Sequence, residues 1–264
     1  MEFGYCTTFD HYLLLEKLGY DYIELAGREV VEYDKARLDE MAEVFRNGKV
    51  KCCGFNSAVP GNIPIVGEGY DRKISREYAK RLCAVGEKLG IRGIGIGSPA
   101  SRRLPYGYDV GIADRQAEEF LRIFGEEAAS CGITVFWEHL NPTEGNYGLT
   151  WNHGIELVKR VDLPNVKLVC DLFHIEINRE SLRDLEQAPA LISHVHMAQL
   201  KGIRRLGLCP EYKEQYRKFI RKLGSLGYDG VISIEAFAGS VEEEAARSIK
   251  LLQELCCQEY EERS

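Results

Sequence analysis

The sequence predicts a (β/α)8 TIM barrel, a closed barrel of eight parallel strands that alternate with helices. Short apolar strand patterns and helical patterns follow one another from end to end of the chain. The length of 264 residues also fits, because such barrels commonly contain about 250 residues. We therefore expect a single domain over residues 1–264.

Eight stretches of the sequence have the pattern of buried strands. They are short, apolar and β-branched, as strands covered on both faces should be. The predicted strands are Glu2–Cys6, Tyr22–Leu25, Val50–Phe55, Gly93–Ile96, Ile133–Glu138, Val166–Asp171, Ile192–His196 and Val231–Glu235.

Helical patterns occupy the segments between these strands. The predicted helices are Asp10–Leu18, Asp34–Asn47, Ser75–Leu89, Ala113–Ser130, Trp151–Val161, Arg179–Ala188, Glu211–Leu226 and Ser240–Cys257. Three of them end in a leucine followed by Gly19, Gly90 or Gly227. Glycine directly after a helix is a common stop signal, and here it marks the joint with the next strand.

An open doubly wound sheet is the alternative for such an alternation. That fold usually has a glycine-rich phosphate loop after its first strand, whereas Tyr5–Cys6–Thr7–Thr8 follows here. The run Gly93–Gly97 has the glycines of a nucleotide-binding fingerprint without its spacing or its following helix. We interpret this run as a strand packed closely by its neighbours, and we favour the barrel.

Composition and charge argue against several classes of partner. A net charge of -7 and a pI near 5.5 disfavour a nucleic-acid surface. We see neither an apolar run of about 20 residues for a membrane span nor a leader pattern at the start. The nine cysteines form no Cys-x-x-Cys motif and include the adjacent pairs Cys52–Cys53 and Cys256–Cys257. We expect reduced thiols and a cytoplasmic protein.

Four predicted strands in succession end on a carboxylate or an imidazole. The residues are Glu138, Asp171, His196 and Glu235. If all four point inward, they converge at one rim of the barrel. A single carboxylate there is more often solvated or a helix cap, but four on consecutive strands favour a metal site. The set suits one divalent ion, with Mn²⁺ preferred and Mg²⁺, Co²⁺ or Zn²⁺ as alternatives.

Further polar residues lie close to these strand ends. His174 follows Asp171 by three residues and could contact a substrate oxygen, assist the metal ligands or cap a helix. His194 should lie one layer deeper as a buried hydrogen-bonding partner. Asn141 suits the wall of a site. Strand alternation turns His139 away from the site unless the loop begins there.

The strand ends also resemble the signature strands of a known family, the xylose isomerase-like TIM barrels. The similar stretches are Trp137–Glu138–His139–Leu140–Asn141, Cys170–Asp171–Leu172–Phe173–His174, His194–Val195–His196–Met197–Ala198 and Ile232–Ser233–Ile234–Glu235–Ala236. The resemblance implies that Glu138, Asp171, His196 and Glu235 bind a metal. It implies that Glu138 and Glu235 also act as acid and base, and that His174 contacts the substrate.

Members of this family carry an arginine a few residues after the last histidine. Lys201, Arg204 and Arg205 are the candidates here, and we choose Arg204 as a substrate-binding residue. We add His139 and Asn141 to the predicted substrate contacts. His139 departs from the family pattern, which has a proline or a hydrophobic residue after the first glutamate.

The family includes sugar isomerases, ketose 3-epimerases, inosose isomerases and dehydratases, and endonuclease IV. We expect a metal-dependent ketose or cyclitol isomerase or epimerase that moves a proton through a metal-stabilised enediolate. The partner would be a small sugar or cyclitol, with a homo-oligomer as a further expectation.

Three alternatives stay open at this point. A lyase, either an inosose-type dehydratase or a C-glycoside β-eliminase, would use His139 or His174 as an extra base. A DNA-repair enzyme similar to endonuclease IV would need more histidines than the rims of strands two to four offer. A metal-free barrel serving as a binding subunit is the non-enzymatic alternative.

Overall fold

The chain folds into a closed barrel of eight parallel strands, as the sequence predicts. The computed structural model describes residues 1–200 and 202–261, and their side chains as far as Cys256. The strands follow one another around the barrel in chain order, and the last pairs with the first. All site residues predicted at strand ends therefore lie at one rim, where the strands finish.

The observed strands agree with the predicted ones to within one residue at each end. They are β1 Glu2–Cys6, β2 Tyr22–Ala26, β3 Lys51–Asn56, β4 Gly93–Ile96, β5 Thr134–Glu138, β6 Val166–Asp171, β7 Ile192–Met197 and β8 Val231–Ile234. The predicted close packing of β4 is confirmed: a Cβ at Gly93 would lie 2.0 Å from the ring of Phe136. The ring thus fills the barrel interior below the rim.

The helices form the outer layer of the barrel. They are α1 Tyr12–Leu18, α2 Gly27–Val30, α3 Lys35–Asn47, α4 Arg72–Leu89, α5 Val110–Ala129, α6 Trp151–Val161, α7 Leu172–Asn178, α8 Lys213–Ser225 and α9 Val241–Glu261. Gly19 and Gly90 adopt left-handed conformations at the ends of α1 and α4, which is the stop signal inferred from the sequence.

The segment after β6 differs from the prediction. The predicted helix Arg179–Ala188 is wrong: α7 begins at Leu172 and ends before Arg179, which has a φ of 57°. A 3-10 helix, Leu182–Gln187, follows it. The reason is that Asp171 both ends the strand and caps the helix, accepting a hydrogen bond from the Phe173 N–H at 2.8 Å.

Two strands contain a bulge near the carboxyl-terminal rim of the barrel. In β3, Cys53 is an extra residue opposite the Ile23–Glu24 step of β2. In β7, Ser193 is an extra residue directly before His194. Such bulges change the direction of the side chains that follow them. Both bulges therefore help to direct polar side chains of β3 and β7 toward the rim.

Two expectations drawn from composition concern cysteines and membranes. The eight cysteines with described side chains are all free thiols, and the side chain of Cys257 lies outside the described part. Over the same described residues, every helix is too short or too polar to cross a bilayer.

Candidate metal centre and active site

The four predicted metal ligands come together at the carboxyl end of the barrel. Glu138 ends β5, Asp171 ends β6, His196 lies near the end of β7, and Glu235 directly follows β8. One potential ligand atom from each lies within 4.8 Å of the others, and all four side chains are buried. Oxygen and nitrogen donors at this spacing can surround one divalent ion.

His196 is the centre of this group. Its Nδ1 lies 3.0 Å from Glu138 Oε1 and 3.7 Å from Glu235 Oε2. Gly97, directly after β4, makes room for the group, because a Cβ there would lie 2.2 Å from Glu138 Oε2. The absence of a side chain at this position therefore allows the Glu138 carboxylate to reach His196.

Arg205 supplies a positive charge to the same group. Its Nη1 lies 2.8 Å from Asp171 Oδ2 and also contacts Glu235 Oε2. A buried cation thus bridges two of the four candidate ligands. Together with the donor types, this stand-in cation indicates that the residues fit a divalent metal ion.

The sequence prediction of Arg204 needs correction in favour of Arg205. Arg204 is exposed and lies outside the cluster, whereas Arg205 is 8% exposed and enters it. Lys201 lies outside the described residues. The backbone explains the choice: the Arg205 carbonyl accepts hydrogen bonds from Phe237 at 2.8 Å and Ala238 at 3.0 Å, which holds this residue against the loop after β8.

His174 joins the cluster through the first turn of α7. Its Nε2 accepts a hydrogen bond from Arg205 Nη2 at 2.7 Å, and it lies 3.5 Å from Asp171 Oδ2. Asn141 Nδ2 lies 2.9 Å from the other ring nitrogen. Burial and the Arg205 guanidinium hold the pKa of His174 well below its usual range, so the imidazole is neutral. Asn141 is fully buried behind His174 and orients its ring.

His139 turns away from the metal ligands, as strand alternation indicates. Its Nε2 lies 3.2 Å from Glu180 Oε2, and its ring packs on Trp151 and on His174. It therefore supports His174 from behind.

Three further polar residues of the cluster are not among the site residues predicted from the sequence. Glu144, in the loop after β5, lies 3.2 Å from Arg205 Nε. Asn56, at the end of β3, donates to Glu235 Oε1 at 3.4 Å. Glu24, near the end of β2, lies 3.3 Å from His196 Nε2. Asn56 and Glu24 lie at strand ends, which is a signal that the sequence offers, whereas Glu144 lies in a loop without periodicity.

The two candidate acid/base carboxyls have pKa values displaced in opposite directions. Burial would raise the pKa of Glu138, but His196, with smaller effects of Arg205 and Arg102, lowers it below its ordinary value. Burial raises the pKa of Glu235 to about 8, against the opposing effects of Arg205 and His196. His196 is thus the main counter-ion of Glu138, whereas burial dominates at Glu235.

A buried arginine fixes the backbone of Glu138. Arg102 is fully buried, its Nη2 donates to the Glu138 carbonyl at 2.8 Å, and its guanidinium lies 4.1 Å from the centre of the Trp137 ring. Burial lowers the pKa of Arg102 to about 9, which still leaves it charged at neutral pH. The contact combines a charge-assisted hydrogen bond with a cation–π interaction.

Comparisons with known proteins agree with this architecture. A family model described as "Xylose isomerase-like TIM barrel" matches residues 13–255. The D-psicose 3-epimerase of Agrobacterium fabrum is 26% identical over 84% of the chain and 76% of that protein. The D-psicose 3-epimerase of Ruminiclostridium cellulolyticum is 25% identical over 84% of the chain and 75% of its own length.

A solved structure has the same fold. The crystal structure of a D-psicose 3-epimerase in the presence of D-fructose superimposes with a TM-score of 0.77 at 24% identity. The match covers 92% of this chain and 89% of that one.

Proposed function

The chain belongs to the xylose isomerase-like TIM barrel family, and from that premise we propose that it is a metal-dependent sugar isomerase or epimerase. Its substrates would be ketoses or cyclitols, and its reaction a proton transfer beside a carbonyl group. The convergence of Glu138 and Glu235 with Asp171 and His196 on one buried point carries this proposal. The relatives named D-psicose 3-epimerase support the assignment to isomerases and epimerases.

The metal centre would consist of Glu138, Asp171, His196 and Glu235. We propose one divalent ion per chain, with Mn²⁺ preferred because hard oxygen donors outnumber the single imidazole. When bound, this ion would act as a Lewis acid that polarises the substrate carbonyl.

Glu138 and Glu235 would move the proton. Epimerisation needs one group to take a carbon-bound proton and a second to return one on the opposite face. Glu138 ends β5 and Glu235 follows β8, and these strands are three apart around the barrel, so the two glutamates can flank a substrate.

His174, Arg205 and Glu144 would bind the substrate hydroxyls. The neutral His174 imidazole and the Arg205 guanidinium contact each other and lie next to the metal ligands. Glu144 is partly exposed at the edge of this group. We assign Asn141 and His139, both buried behind His174, to orienting that ring rather than to binding substrate.

Solvent exchange tests the proposal directly. Candidate ketoses and inososes are incubated with enzyme and Mn²⁺ in D₂O, and their carbon-bound protons are followed by NMR. Deuterium entering the recovered or isomerised sugar is the expected result, and the Glu235→Gln variant should not exchange. Loss of water or of an aglycone would identify the lyase alternative.

Two other outcomes contradict the assignment. Turnover with the carbon-bound hydrogen carried across intact indicates a hydride shift, and Glu138 and Glu235 are then not bases. A purified protein that neither binds metal nor turns over any sugar is the non-catalytic barrel.

A further inference from the structure

A second layer of polar residues lies beneath the candidate metal ligands, inside the barrel. Its centre is Glu24 of β2, whose side chain is 2% exposed. Its Oε2 accepts a hydrogen bond from Ser233 Oγ at 2.5 Å and lies 2.9 Å from His194 Nε2. The Cys6 thiol lies 3.6 Å from the same oxygen. A buried carboxylate with so many partners has a fixed position.

The contact of Glu24 with His196 connects this layer to the candidate metal centre. Both carboxylate oxygens of Glu24 lie 3.3 Å from His196 Nε2. The other ring nitrogen, Nδ1, faces Glu138 and Glu235 at 3.0 and 3.7 Å. Nε2 of His196 thus faces the lower layer, and Nδ1 faces the candidate metal ligands.

An imidazole binds a metal through a nitrogen that carries no proton. A carboxylate that accepts the proton of one ring nitrogen leaves the lone pair of the other nitrogen available. We propose that Glu24 is a positioning residue that holds the proton of His196 on Nε2 and keeps Nδ1 directed at the metal centre. This inference rests on the proposed metal centre.

The alternative role for Glu24 is that of a ligand in a second metal site. Cys6, Glu24 and His196 also have potential ligand atoms within 4.8 Å of one another. The hydrogen bond from Ser233 and the contact with His194 already occupy Oε2, so a ligand role would fall to Oε1, which lies 3.3 Å from His196 Nε2. The two roles predict different numbers of bound ions.

Glu24→Gln is a sharp test because it changes the charge and keeps the size. Ser233 and His194 favour the amide oxygen at the position of Oε2 and the amide NH₂ at that of Oε1, and both positions lie 3.3 Å from His196 Nε2. The variant thus loses the negative charge and one of the two acceptors for a proton on Nε2. This loss shifts the proton of His196 toward Nδ1, where the metal should bind. The dissociation constant for Mn²⁺, measured by EPR of the free ion, should rise roughly 10- to 100-fold, as for other partners of metal-binding histidines.

Glu180→Gln is the matched control. It makes the same carboxylate-to-amide change beside His139, a histidine outside the ligand set, and should leave Mn²⁺ affinity unchanged. The midpoint of thermal unfolding of each metal-free variant separates the two roles. A purely structural role would lower that midpoint without weakening Mn²⁺ binding to the folded protein. If Glu24→Gln does not fold, Glu24→Asp, which retracts the carboxylate, should show the same weakening.

Each other outcome overturns the inference. Equal Mn²⁺ affinity of folded Glu24→Gln and wild type would exclude the positioning role and leave the proposed function standing. Two ions per wild-type chain, with only the second lost in Glu24→Gln, would make Glu24 a ligand. A wild-type protein that binds no ion would remove the inference and the proposed metal centre together.

Discussion

Arg205 Nη1 lies 2.8 Å from Asp171 Oδ2, and this buried ion pair joins a candidate metal ligand to the residues proposed to bind substrate. The same guanidinium donates through Nη2 to His174 at 2.7 Å and lies above the ring of Phe173 at 4.5 Å. Its position is therefore set from several directions. Arg205 thus contacts both a candidate metal ligand and His174.

Replacing Arg205 by lysine should strongly reduce activity. An ammonium cannot make the separate contacts of a planar guanidinium to Asp171 and His174. Lysine keeps the positive charge but loses at least one of these hydrogen bonds. Losing a hydrogen bond of a charged group costs about 1.5–3 kcal/mol, which corresponds to a loss of roughly 10- to 100-fold in kcat/KM if the cost falls on the transition state.

Arg204→Lys is the control for this change, because Arg204 is adjacent in sequence and exposed. Steady-state kinetics with the substrate found by the exchange experiment would measure both variants. Equal loss in the two, or a greater loss in Arg204→Lys, would contradict the placement of Arg205 in the site.

Gly97→Ala should displace the Glu138 carboxylate and reduce activity without unfolding the barrel. The added Cβ would lie 2.2 Å from Glu138 Oε2, so the carboxylate must move. A displacement of about 1 Å in a catalytic group can cost roughly 100-fold in rate, and kcat should fall by about this factor. Gly95→Ala, on the same strand, is the control, because its Cβ would lie 3.3 Å from the Phe55 carbonyl. Gly95→Ala should lower stability more than it lowers kcat. A larger loss of kcat in Gly95→Ala than in Gly97→Ala would contradict the predicted contact between the Cβ at position 97 and Glu138.

The barrel and its four candidate ligands were predictable because strands have a period of two. An apolar strand that ends in an inward polar residue determines both the fold and the direction of that side chain. This holds for Glu138 and Asp171, and the boundaries of β5 and β6 agree with prediction to within one residue. The missed start of α7 has a specific cause: Asp171 is a strand end and a helix cap in one residue.

The remaining site residues are placed by contacts between segments that are distant in sequence, and local sequence patterns do not predict such contacts. Arg205 and Arg204 are adjacent in a loop without periodicity, so only the docking of the Arg205 carbonyl on Phe237 and Ala238 distinguishes them. Glu24 contacts His194, which is 170 residues away along the chain. That contact forms only when the barrel closes, so the sequence of β2 alone does not predict it.

Removing the metal should destabilise the protein. A ligand that binds only the folded state adds about 2.7 kcal/mol to the free energy of unfolding at 100 times its dissociation constant. Dialysis against a chelator should therefore lower the midpoint of thermal unfolding, and Mn²⁺ should restore it at about one ion per chain.

Glu235→Gln should abolish this response, because it removes one of the four ligand carboxylates. Glu180→Gln, outside the ligand set, should retain it. The measurement is a thermal melt with and without Mn²⁺, together with metal analysis. A full Mn²⁺ response in Glu235→Gln would exclude this residue as a ligand.

Asp114 should stabilise the protein above about pH 4, and this contribution should fade as the pH falls further. Its Oδ1 accepts a hydrogen bond from Tyr147 Oη at 2.8 Å and lies 2.9 Å from His153 Nε2, which ties α5 to the loop after β5. Burial would raise its pKa, but hydrogen bonding to Tyr147 and His153 lowers it below the ordinary value. A carboxyl whose pKa is lowered by folding adds stability above its unfolded pKa of about 3.9, and this is lost as pH falls through the folded pKa.

Asp114→Asn should therefore lower the free energy of unfolding by roughly 1–3 kcal/mol at pH 7, and the difference from wild type should shrink below pH 4. Urea unfolding at several pH values measures this difference. Asp162→Asn is the control: Asp162 is exposed at the end of α6 with a φ of 52°, a conformation that asparagine also tolerates. A difference that stays constant from pH 7 to pH 3 would mean that the charge of Asp114 does not hold this loop, and that the side chain acts through its shape alone.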